Sequence, residues 1–241
     1  MTAIDRNGAM TALPRTFHAF LGMFPRLTAI QAHAIPQVLT GEDCVLVAPA
    51  ASGKTEAALA PLCERLLREP SPGGVRLLYV VPTRALANDT ETRVRGPAGT
   101  LGLVATVRTG DRPVALAARR TDLLITTPES MDSMLCRQAD VFKNVRAVVV
   151  DEAHQVDGTA RGDQLRVLLR RLSAWHAKPR PQHVAMTATV ADPEAMGVRL
   201  FGREVPVVRA GLDRPVQVSW ADDPPAAARA IRAAGDRKSG V

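Results

Sequence analysis

Cysteine and aromatic residues are scarce in this chain of 241 residues. It has three cysteines, Cys44, Cys63 and Cys136, and aromatic side chains make up 3% of the sequence. Three scattered cysteines without a Cys-x-x-Cys pair exclude a disulfide framework and a cysteine metal site, and they favour a reduced, cytoplasmic protein. The scarcity of aromatic rings indicates that stacking of nucleobases does not dominate any binding.

Long apolar runs are missing as well. The longest, such as Leu77–Val81 and Ala147–Val150, are far shorter than the roughly 20 residues that cross a bilayer, and no apolar segment of a secretory signal opens the chain. We therefore expect no membrane partner. The length suffices for one α/β domain with a substantial core, or for one domain with a short appendage.

Lysine is rare although the chain is basic. The formal net charge is +7, yet only four of the 31 basic residues are lysine. An arginine-rich and alanine-rich composition is what GC-rich coding produces, so the charge alone supports a polyanionic partner only weakly. Lys54 is the only lysine in the first 142 residues, which indicates that this position needs a compact ammonium group.

Short apolar segments alternate with helical patterns along most of the chain. Such alternation predicts an α/β fold with a mainly parallel sheet, right-handed crossovers and helices on both faces. The predicted strands are Cys44–Val47, Leu77–Val81, Leu103–Val107, Leu123–Thr126, Ala147–Val150, His183–Met186 and Val205–Val208. The predicted helices are Pro14–Phe24, Thr28–Leu39, Thr55–Arg68, Arg84–Arg95, Val114–Arg119, Ser130–Cys136, Gln164–Trp175 and Pro193–Phe201. We expect a flexible segment over residues 1–12, a domain over 13–209, and a linker or truncated continuation over 210–241.

A phosphate-binding loop follows the first predicted strand. Gly53-Lys54-Thr55 opens a helix, and Ala48 stands where the general pattern G-x-x-x-x-G-K-[ST] has its first glycine. Backbone N–H groups and a helix N-terminus favour an anion there, Lys54 would reach the β- and γ-phosphates, and Thr55 would bind Mg²⁺. The alternative is a chance Gly-Lys-Thr helix start.

An acidic pair, Asp151-Glu152, follows the predicted strand Ala147–Val150. We predict that Asp151 holds Mg²⁺ and that Glu152 orients or deprotonates the attacking water. The alternative is a solvated helix start, which the four preceding apolar residues disfavour. His154 could contact Thr187-Ala188-Thr189, which ends a later strand.

The order of these strings resembles that of superfamily 2 DEAD/DEAH-box helicases. The matching strings are Phe24–Gln31 (Q motif), Ala48–Thr55 (motif I), Pro82–Leu86 (motif Ia), Arg108–Asp111 (Thr-Gly motif), Thr126–Ser130 (motif Ib), Asp151–His154 (motif II) and Thr187–Thr189 (motif III). The match covers about residues 20–205 and corresponds to the first RecA-like domain of the family. The residues around the motifs resemble those of the large-helicase-related (Lhr-like) branch.

The resemblance implies a RecA-like P-loop three-layer sandwich that binds ATP and Mg²⁺ and grips single-stranded DNA or RNA. The implied catalytic residues are Lys54, Asp151 and Glu152, with Thr55 and Asp151 on the metal. The implied nucleotide contacts are Gln31, at the adenine edge, and Ala50, Ala51, Ser52, Gly53, Lys54 and Thr55. The implied nucleic-acid contacts are Pro82, Thr83, Arg84, Thr109, Gly110, Thr127 and Pro128, and the implied coupling residues are His154, Thr187 and Thr189.

Three departures from the family pattern keep alternatives open. Ala50 and Ala51 stand where many members have Thr-Gly, which predicts weakened nucleotide binding, and Thr187 replaces a more common serine. The motifs of a second RecA-like domain are not found after Arg209, so such a domain would act in cis, if the chain is truncated, or in trans. A turnover-deficient scaffold module is the alternative function. A metabolic P-loop kinase is disfavoured because no acceptor pocket accompanies the loop.

Overall fold

Parallel strands form the centre of the computed structural model, which describes residues 2–70, 73–112, 114, 116, 120–188 and 190–211. Within these residues seven strands form one sheet in the order β3-β4-β2-β5-β6-β1-β7, and every pairing is parallel. The strands are β1 (Cys44–Val47), β2 (Leu77–Val80), β3 (Ala105–Arg108), β4 (Leu123–Thr126), β5 (Ala147–Val150), β6 (Gln182–Thr187) and β7 (Val207–Arg209). The five strands β1, β2, β4, β5 and β6 are buried throughout, as expected for strands covered on both faces.

Helices cover both faces of this sheet. The described helices are α1 (Arg6–Ala12), α2 (Phe17–Phe20), α3 (Ala29–Leu39), α4 (Lys54–Arg68), α5 (Arg84–Thr100), α6 (Pro128–Arg137), α7 (Ala160–Arg171) and α8 (Pro193–Phe201). Helices α1 to α5 contribute to one apolar cluster with Leu46 and Tyr79 of the sheet, and α6 to α8 to a second cluster with Val45 and Leu78. The predicted three-layer RecA-like sandwich is confirmed.

The N-terminal segment corrects the expectation that residues 1–12 are flexible. Asp5 caps α1 by accepting a hydrogen bond from the Gly8 N–H at 2.7 Å, and the Ile4 N–H donates to the Ala32 carbonyl at 3.0 Å. Ala9 is fully buried in the core. The segment packs on the domain because four apolar side chains, on Ile4, Ala9, Met10 and Ala12, join the cluster around α3. Twelve residues are too few for a periodic apolar pattern to predict these contacts.

Other element boundaries differ modestly from the predictions. Helix α5 continues to Thr100 through Pro97, whereas α2 is a single turn in place of the predicted Pro14–Phe24 helix. Most of the predicted helix Val114–Arg119, and residues 212–241 of the predicted continuation, lie outside the described residues. Among the helices that the structure describes, none combines the length and apolar character that crossing a bilayer requires.

A buried carboxylate joins the amino ends of β1 and β6, at the edge opposite the phosphate loop. Asp43 accepts hydrogen bonds from the His183 N–H at 2.8 Å and from the Arg180 guanidinium at 2.6 Å, and Arg203 lies 3.0 Å away. Burial acts to raise the pKa of Asp43, but the hydrogen bonds from His183 and Arg180 outweigh it and hold this pKa far below its usual value. Burial lowers the pKa of His183.

We predict that Asp43→Asn lowers the free energy of unfolding by about 2 kcal/mol at pH 7, since charge-assisted hydrogen bonds in a buried site are lost. A carboxylate with a lowered folded-state pKa stabilises above its unfolded-state pKa of about 4, and this contribution is lost as the pH falls further. Urea unfolding at pH 7 and pH 3.5 measures both values. The exposed neighbour provides a control: Glu42→Gln should cost little, and an undiminished Asp43→Asn effect at pH 3.5 would contradict the assignment.

Candidate nucleotide site and nucleic-acid groove

The loop between β1 and α4 has the shape of a phosphate cradle. Gly53 adopts φ +85°, and a Cβ atom there would lie 2.4 Å from Nε2 of Gln31, so only glycine fits. The Lys54 ammonium donates to the carbonyls of Ala48 at 2.6 Å and Pro49 at 2.9 Å. Among the described residues, Ser52 Oγ is a buried polar atom without a hydrogen-bond partner. The loop therefore offers a lysine and an unused hydroxyl to an anion.

The acidic pair lies beside this loop, where β5 ends. Asp151 Oδ1 accepts the Glu152 N–H at 2.8 Å, and Asp151 Oδ2 accepts the hydroxyl of Tyr79 at 2.7 Å. Burial lowers the pKa of Lys54, and the negative charges of Glu152 and Asp151 act in the opposite direction. The same charges that would hold a metal ion thus help to keep Lys54 protonated.

Tyr79 is a site residue that the sequence analysis missed. Its side chain is fully buried, and burial, followed by the charge and hydrogen bond of Asp151, raises its pKa well above the usual value. The hydroxyl therefore keeps its proton and donates a hydrogen bond to Asp151. No motif contains this tyrosine, so its contact emerges only when β2 and β5 pair.

A short polar chain leads from the acidic pair to β6. Glu152, at φ +46°, places its Oε2 3.4 Å from Nδ1 of His154, and the same nitrogen lies 3.2 Å from Thr187 Oγ1. The predicted contact between motif II and motif III is confirmed for this pair. Thr189, the third predicted coupling residue, lies outside the described residues.

The phosphate loop and the acidic pair line one pocket of about 290 Å³. Its walls include the acidic pair and all the predicted nucleotide contacts, which are Gln31, Ala50, Ala51, Ser52, Gly53, Lys54 and Thr55. Five further residues line it that were not predicted to contact the nucleotide: Phe24, Arg26, Thr28, Glu56 and Arg93. Gln31 is already engaged, because its Oε1 accepts the Thr28 N–H at 3.0 Å and its Nε2 lies 3.5 Å from the Gly53 carbonyl. Its reading of adenine stays a prediction and requires exchange of such a bond.

The chemistry of this pocket fits Mg²⁺ bound together with phosphate. Within the described residues no group of three or more histidine, cysteine, aspartate or glutamate side chains forms a metal cage. Mg²⁺ commonly uses one or two carboxylates, waters and substrate phosphates instead of a complete protein cage. The Asp151 carboxylate and the Thr55 hydroxyl, both in the pocket wall, supply that partial set.

A second cleft, of about 640 Å³, lies at the ends of β2, β4 and β3. Six of the seven predicted nucleic-acid contacts line it: Pro82, Thr83, Arg84, Thr109, Gly110 and Thr127. Pro128 is buried at the first position of α6 and is not part of this lining. Of the other lining residues, Arg108, Glu129 and Ser130 belong to the motifs but were not predicted as contacts, and Ser133, Arg137 and Arg161 lie outside every motif. We call this cleft the arginine groove.

Arg161 connects the loops that form this groove. Its Nη2 donates to the Pro82 carbonyl at 2.7 Å, and its Nε donates to Glu129 Oε1 at 2.8 Å. Burial acts to raise the pKa of Glu129, but hydrogen bonds from its own backbone and from Arg161 lower it overall. Arg84, by contrast, is mostly exposed and has Asp111 3.6 Å away, so its guanidinium is accessible to an anion.

A phosphate-binding loop and an Asp-Glu pair at the carboxyl edge of one parallel sheet define a P-loop nucleotide-binding domain. More specifically, the model of the DEAD/DEAH box helicase family matches residues 28–196. The chain belongs to this family.

Similar proteins include members of the predicted Lhr-like branch. The chain is 37% identical over 219 residues to the Lhr helicase/probable uracil glycosylase of Mycolicibacterium smegmatis, and this match covers 83% of the chain but 14% of the relative. The ATP-dependent DNA helicase Hel308 of Pyrococcus horikoshii is 32% identical, over 69% of the chain and 22% of that protein. The chain therefore spans less than a quarter of the length of these relatives.

A solved structure of a relative agrees with the fold. The structure of Mycobacterium smegmatis helicase Lhr bound to ssDNA and AMP-PNP aligns with 97% of this chain and 33% of its own, with a TM-score of 0.77 and 30% identity. The DEAD-box helicase Mss116 bound to ssRNA and UDP-BeF aligns with a TM-score of 0.76 over 86% of this chain and 45% of its own. At 21% identity the second comparison supports the fold alone.

We predict that the two alanines of the phosphate loop respond differently to glycine. Ala51 adopts φ +56°, which costs a residue with a Cβ about 1–2 kcal/mol, whereas Ala50 has no positive φ. Ala51→Gly should therefore leave stability unchanged or raise it by up to about 1 kcal/mol, and Ala50→Gly should lower it by about 0.5–1 kcal/mol through chain entropy. Urea unfolding of both variants is the measurement, and equal losses would contradict strain at Ala51.

Proposed function

We propose that this chain is the ATP-binding, strand-gripping domain of an ATP-dependent helicase or translocase. The observation that carries the proposal is the position of two sites along one sheet edge. The nucleotide pocket lies at the ends of β1 and β5, and the arginine groove lies at the ends of β2, β4 and β3. A protein that couples nucleotide hydrolysis to movement on a strand needs both sites on one rigid element.

The nucleotide pocket supplies the groups that phosphoryl transfer needs. Lys54 and the N–H groups of the loop would bind the phosphates, and Thr55 and Asp151 would hold Mg²⁺. When bound, Mg²⁺ neutralises charge on the phosphate oxygens. Glu152 lines the same pocket, and its carboxylate would orient the attacking water and accept a proton.

The arginine groove suits a sugar-phosphate backbone more than base edges. Its donors are the guanidinium of Arg84, the hydroxyls of Thr109 and Thr127, and further arginines at positions 108 and 137. Such groups bind phosphates and fix the position of a strand without reading its sequence. No aromatic residue is among the groove residues, so stacking on aromatic rings does not contribute there.

Turnover by this domain would require a partner. Charge that develops during phosphoryl transfer is commonly met by an arginine from outside the phosphate site, worth about 10³–10⁵ in rate. We infer that a second RecA-like domain, in cis or in trans, supplies it and closes on the strand. The matches cover 14% and 22% of the two relatives, which leaves room for such a domain in them.

The alternative is a scaffold module that binds nucleotide but has lost turnover. The strained Ala51 and the methyl groups of Ala50 and Ala51 beside the phosphate site support this reading. The intact set of Lys54, Asp151 and Glu152 supports the motor. ATP hydrolysis in the presence of a second RecA-like domain, and its loss in Glu152→Gln, separates the two.

We predict that Lys54→Ala weakens binding of ATP with Mg²⁺ by about 10- to 100-fold. The substitution removes a charge-assisted contact worth about 1.5–3 kcal/mol in a partly desolvated site. Isothermal calorimetry measures both affinities. The exposed Lys143 offers a matched control, since Lys143→Ala should bind like wild type. Equal affinities of wild type and Lys54→Ala would remove the phosphate-loop assignment.

We predict that single-stranded oligonucleotides bind with little sequence preference and with strong salt dependence. Contact with about 3–4 phosphates gives a slope of log K against log[salt] of about −2 to −3, and Arg84→Ala should reduce the slope by about 0.7 for every sequence. Arg95→Ala is the control, because Arg95 lies on the same helix outside the groove. Fluorescence anisotropy at several salt concentrations is the assay; an unchanged slope in Arg84→Ala would count against the groove.

A further inference from the structure

Tyr79 is the only tyrosine in the chain, and it lies on β2, the groove strand that adjoins β5. Strand β2 pairs with β5, with Tyr79 opposite Val149 and Val80 opposite Val150. From this position the Tyr79 hydroxyl donates a hydrogen bond to Asp151 Oδ2 at 2.7 Å. A residue of the strand next to the nucleic-acid groove thus contacts the predicted metal carboxylate.

The Asp151 carboxylate is held from two sides. Its Oδ2 accepts the Tyr79 hydroxyl, and its Oδ1 accepts the N–H of Glu152, which lies in a left-handed turn at φ +46°. Two hydrogen bonds from different elements fix the rotation of a carboxylate, whereas one leaves it free to turn. Removal of the hydroxyl would also leave a buried carboxylate oxygen without that partner, since Asp151 is 7% exposed.

Packing alone does not account for a tyrosine at this position. The Tyr79 ring belongs to the same apolar cluster as Leu46 and Ile125, and a phenylalanine ring would fill that space equally well. A hydroxyl in a fully buried position is costly unless it is hydrogen-bonded. Its hydrogen-bond partner is the Asp151 carboxylate of the predicted metal site, which indicates that the hydroxyl serves that site.

We propose that Tyr79 is a positioning residue that fixes Asp151 for Mg²⁺ binding. This inference rests on the proposed function, in which Asp151 and Thr55 hold the metal with bound nucleotide. Residues that hold metal ligands in place commonly contribute 10- to 100-fold to metal affinity. Tyr79 touches neither the nucleotide nor the metal in this role, so its loss should affect the Mg²⁺ requirement and not the intrinsic affinity for phosphate.

The first test compares wild type with Tyr79→Phe, which keeps the ring and removes the hydroxyl. Calorimetric ATP binding is measured over a range of Mg²⁺ concentrations and in EDTA. We expect Tyr79→Phe to need about 10-fold more Mg²⁺ for half-maximal enhancement of binding, with unchanged affinity in EDTA. Leu78→Val is the matched control, because Leu78 is the neighbouring buried residue of β2 and packs in the other apolar cluster. This control should keep the wild-type Mg²⁺ requirement.

The second test uses wild-type protein and does not depend on the folding of any variant. Biosynthetic 3-fluorotyrosine labels a single site, so the ¹⁹F spectrum should contain one resonance, absent from Tyr79→Phe. We expect this resonance to shift when Mg²⁺ is added to the ATP-saturated protein, because Asp151, the hydrogen-bond partner of Tyr79, would then bind the metal. ATP in EDTA should produce a smaller shift.

The outcomes separate the inference from the function on which it rests. Equal enhancement of ATP binding by Mg²⁺ in wild type and Tyr79→Phe would overturn the role of Tyr79. An unchanged ¹⁹F resonance on addition of Mg²⁺ would overturn it as well. Neither result would contradict the nucleotide site. If wild type binds ATP without any effect of Mg²⁺, the metal site itself is overturned together with this inference. An equal rise of the Mg²⁺ requirement in Leu78→Val would show general loosening and would also overturn it.

Discussion

Parallel hydrogen bonding between the strands determines where every functional loop lies. All described strands run in one direction, so the segments that follow β1, β2, β3, β4, β5 and β6 meet at the same edge of the sheet. Parallel pairing also requires helical crossovers that cover both faces, which excludes water from the strands and from residues such as Tyr79. The acidic pair, the phosphate loop and the arginine groove are consequences of this one arrangement.

Strand order divides that edge into two halves. The strands β5 and β1 carry the nucleotide pocket and have β6 between them, while β3, β4 and β2 are consecutive and carry the groove. The border lies between β2 and β5. Side-chain contacts cross it: the hydroxyl of Tyr79 donates to Asp151, and the guanidinium of Arg161, which follows β5 in the chain, donates to Pro82 and Glu129. The Tyr79 hydroxyl therefore joins a strand of the groove to a carboxylate of the nucleotide pocket.

A buried stabilising cluster lies at the amino ends of the strands, and the candidate functional sites lie at their carboxyl ends. At the amino ends, Asp43 has its hydrogen-bonding capacity used by His183 and Arg180. At the carboxyl ends, groups are left incompletely satisfied or strained: Ser52 Oγ lacks a partner among the described residues, and Ala51 and Glu152 have positive φ angles. Such features are unfavourable in the free protein, and they are the ones that a bound phosphate or metal can relieve.

The sequence by itself determined the strands, the fold class and the motif residues of both sites. Short continuous apolar runs between helical patterns indicate strands that are buried on both faces. A Gly-Lys-Thr sequence at a helix start indicates a phosphate site. Both signals are local, so the sequence was sufficient to predict them. The predicted core of the nucleotide pocket, from Ala50 to Thr55 with Asp151 and Glu152, accordingly lies in one pocket.

Only the tertiary structure decided which residues outside the motifs join these sites. Tyr79 reads as one more apolar strand residue, Arg161 as a surface arginine at the start of a helix, and residues 6–12 as a segment without periodicity. Each acquires its role through contacts with residues far away in the chain: Tyr79 with Asp151, Arg161 with Pro82, and α1 with α3. Such contacts depend on strand order and helix packing, which short-range patterns do not encode.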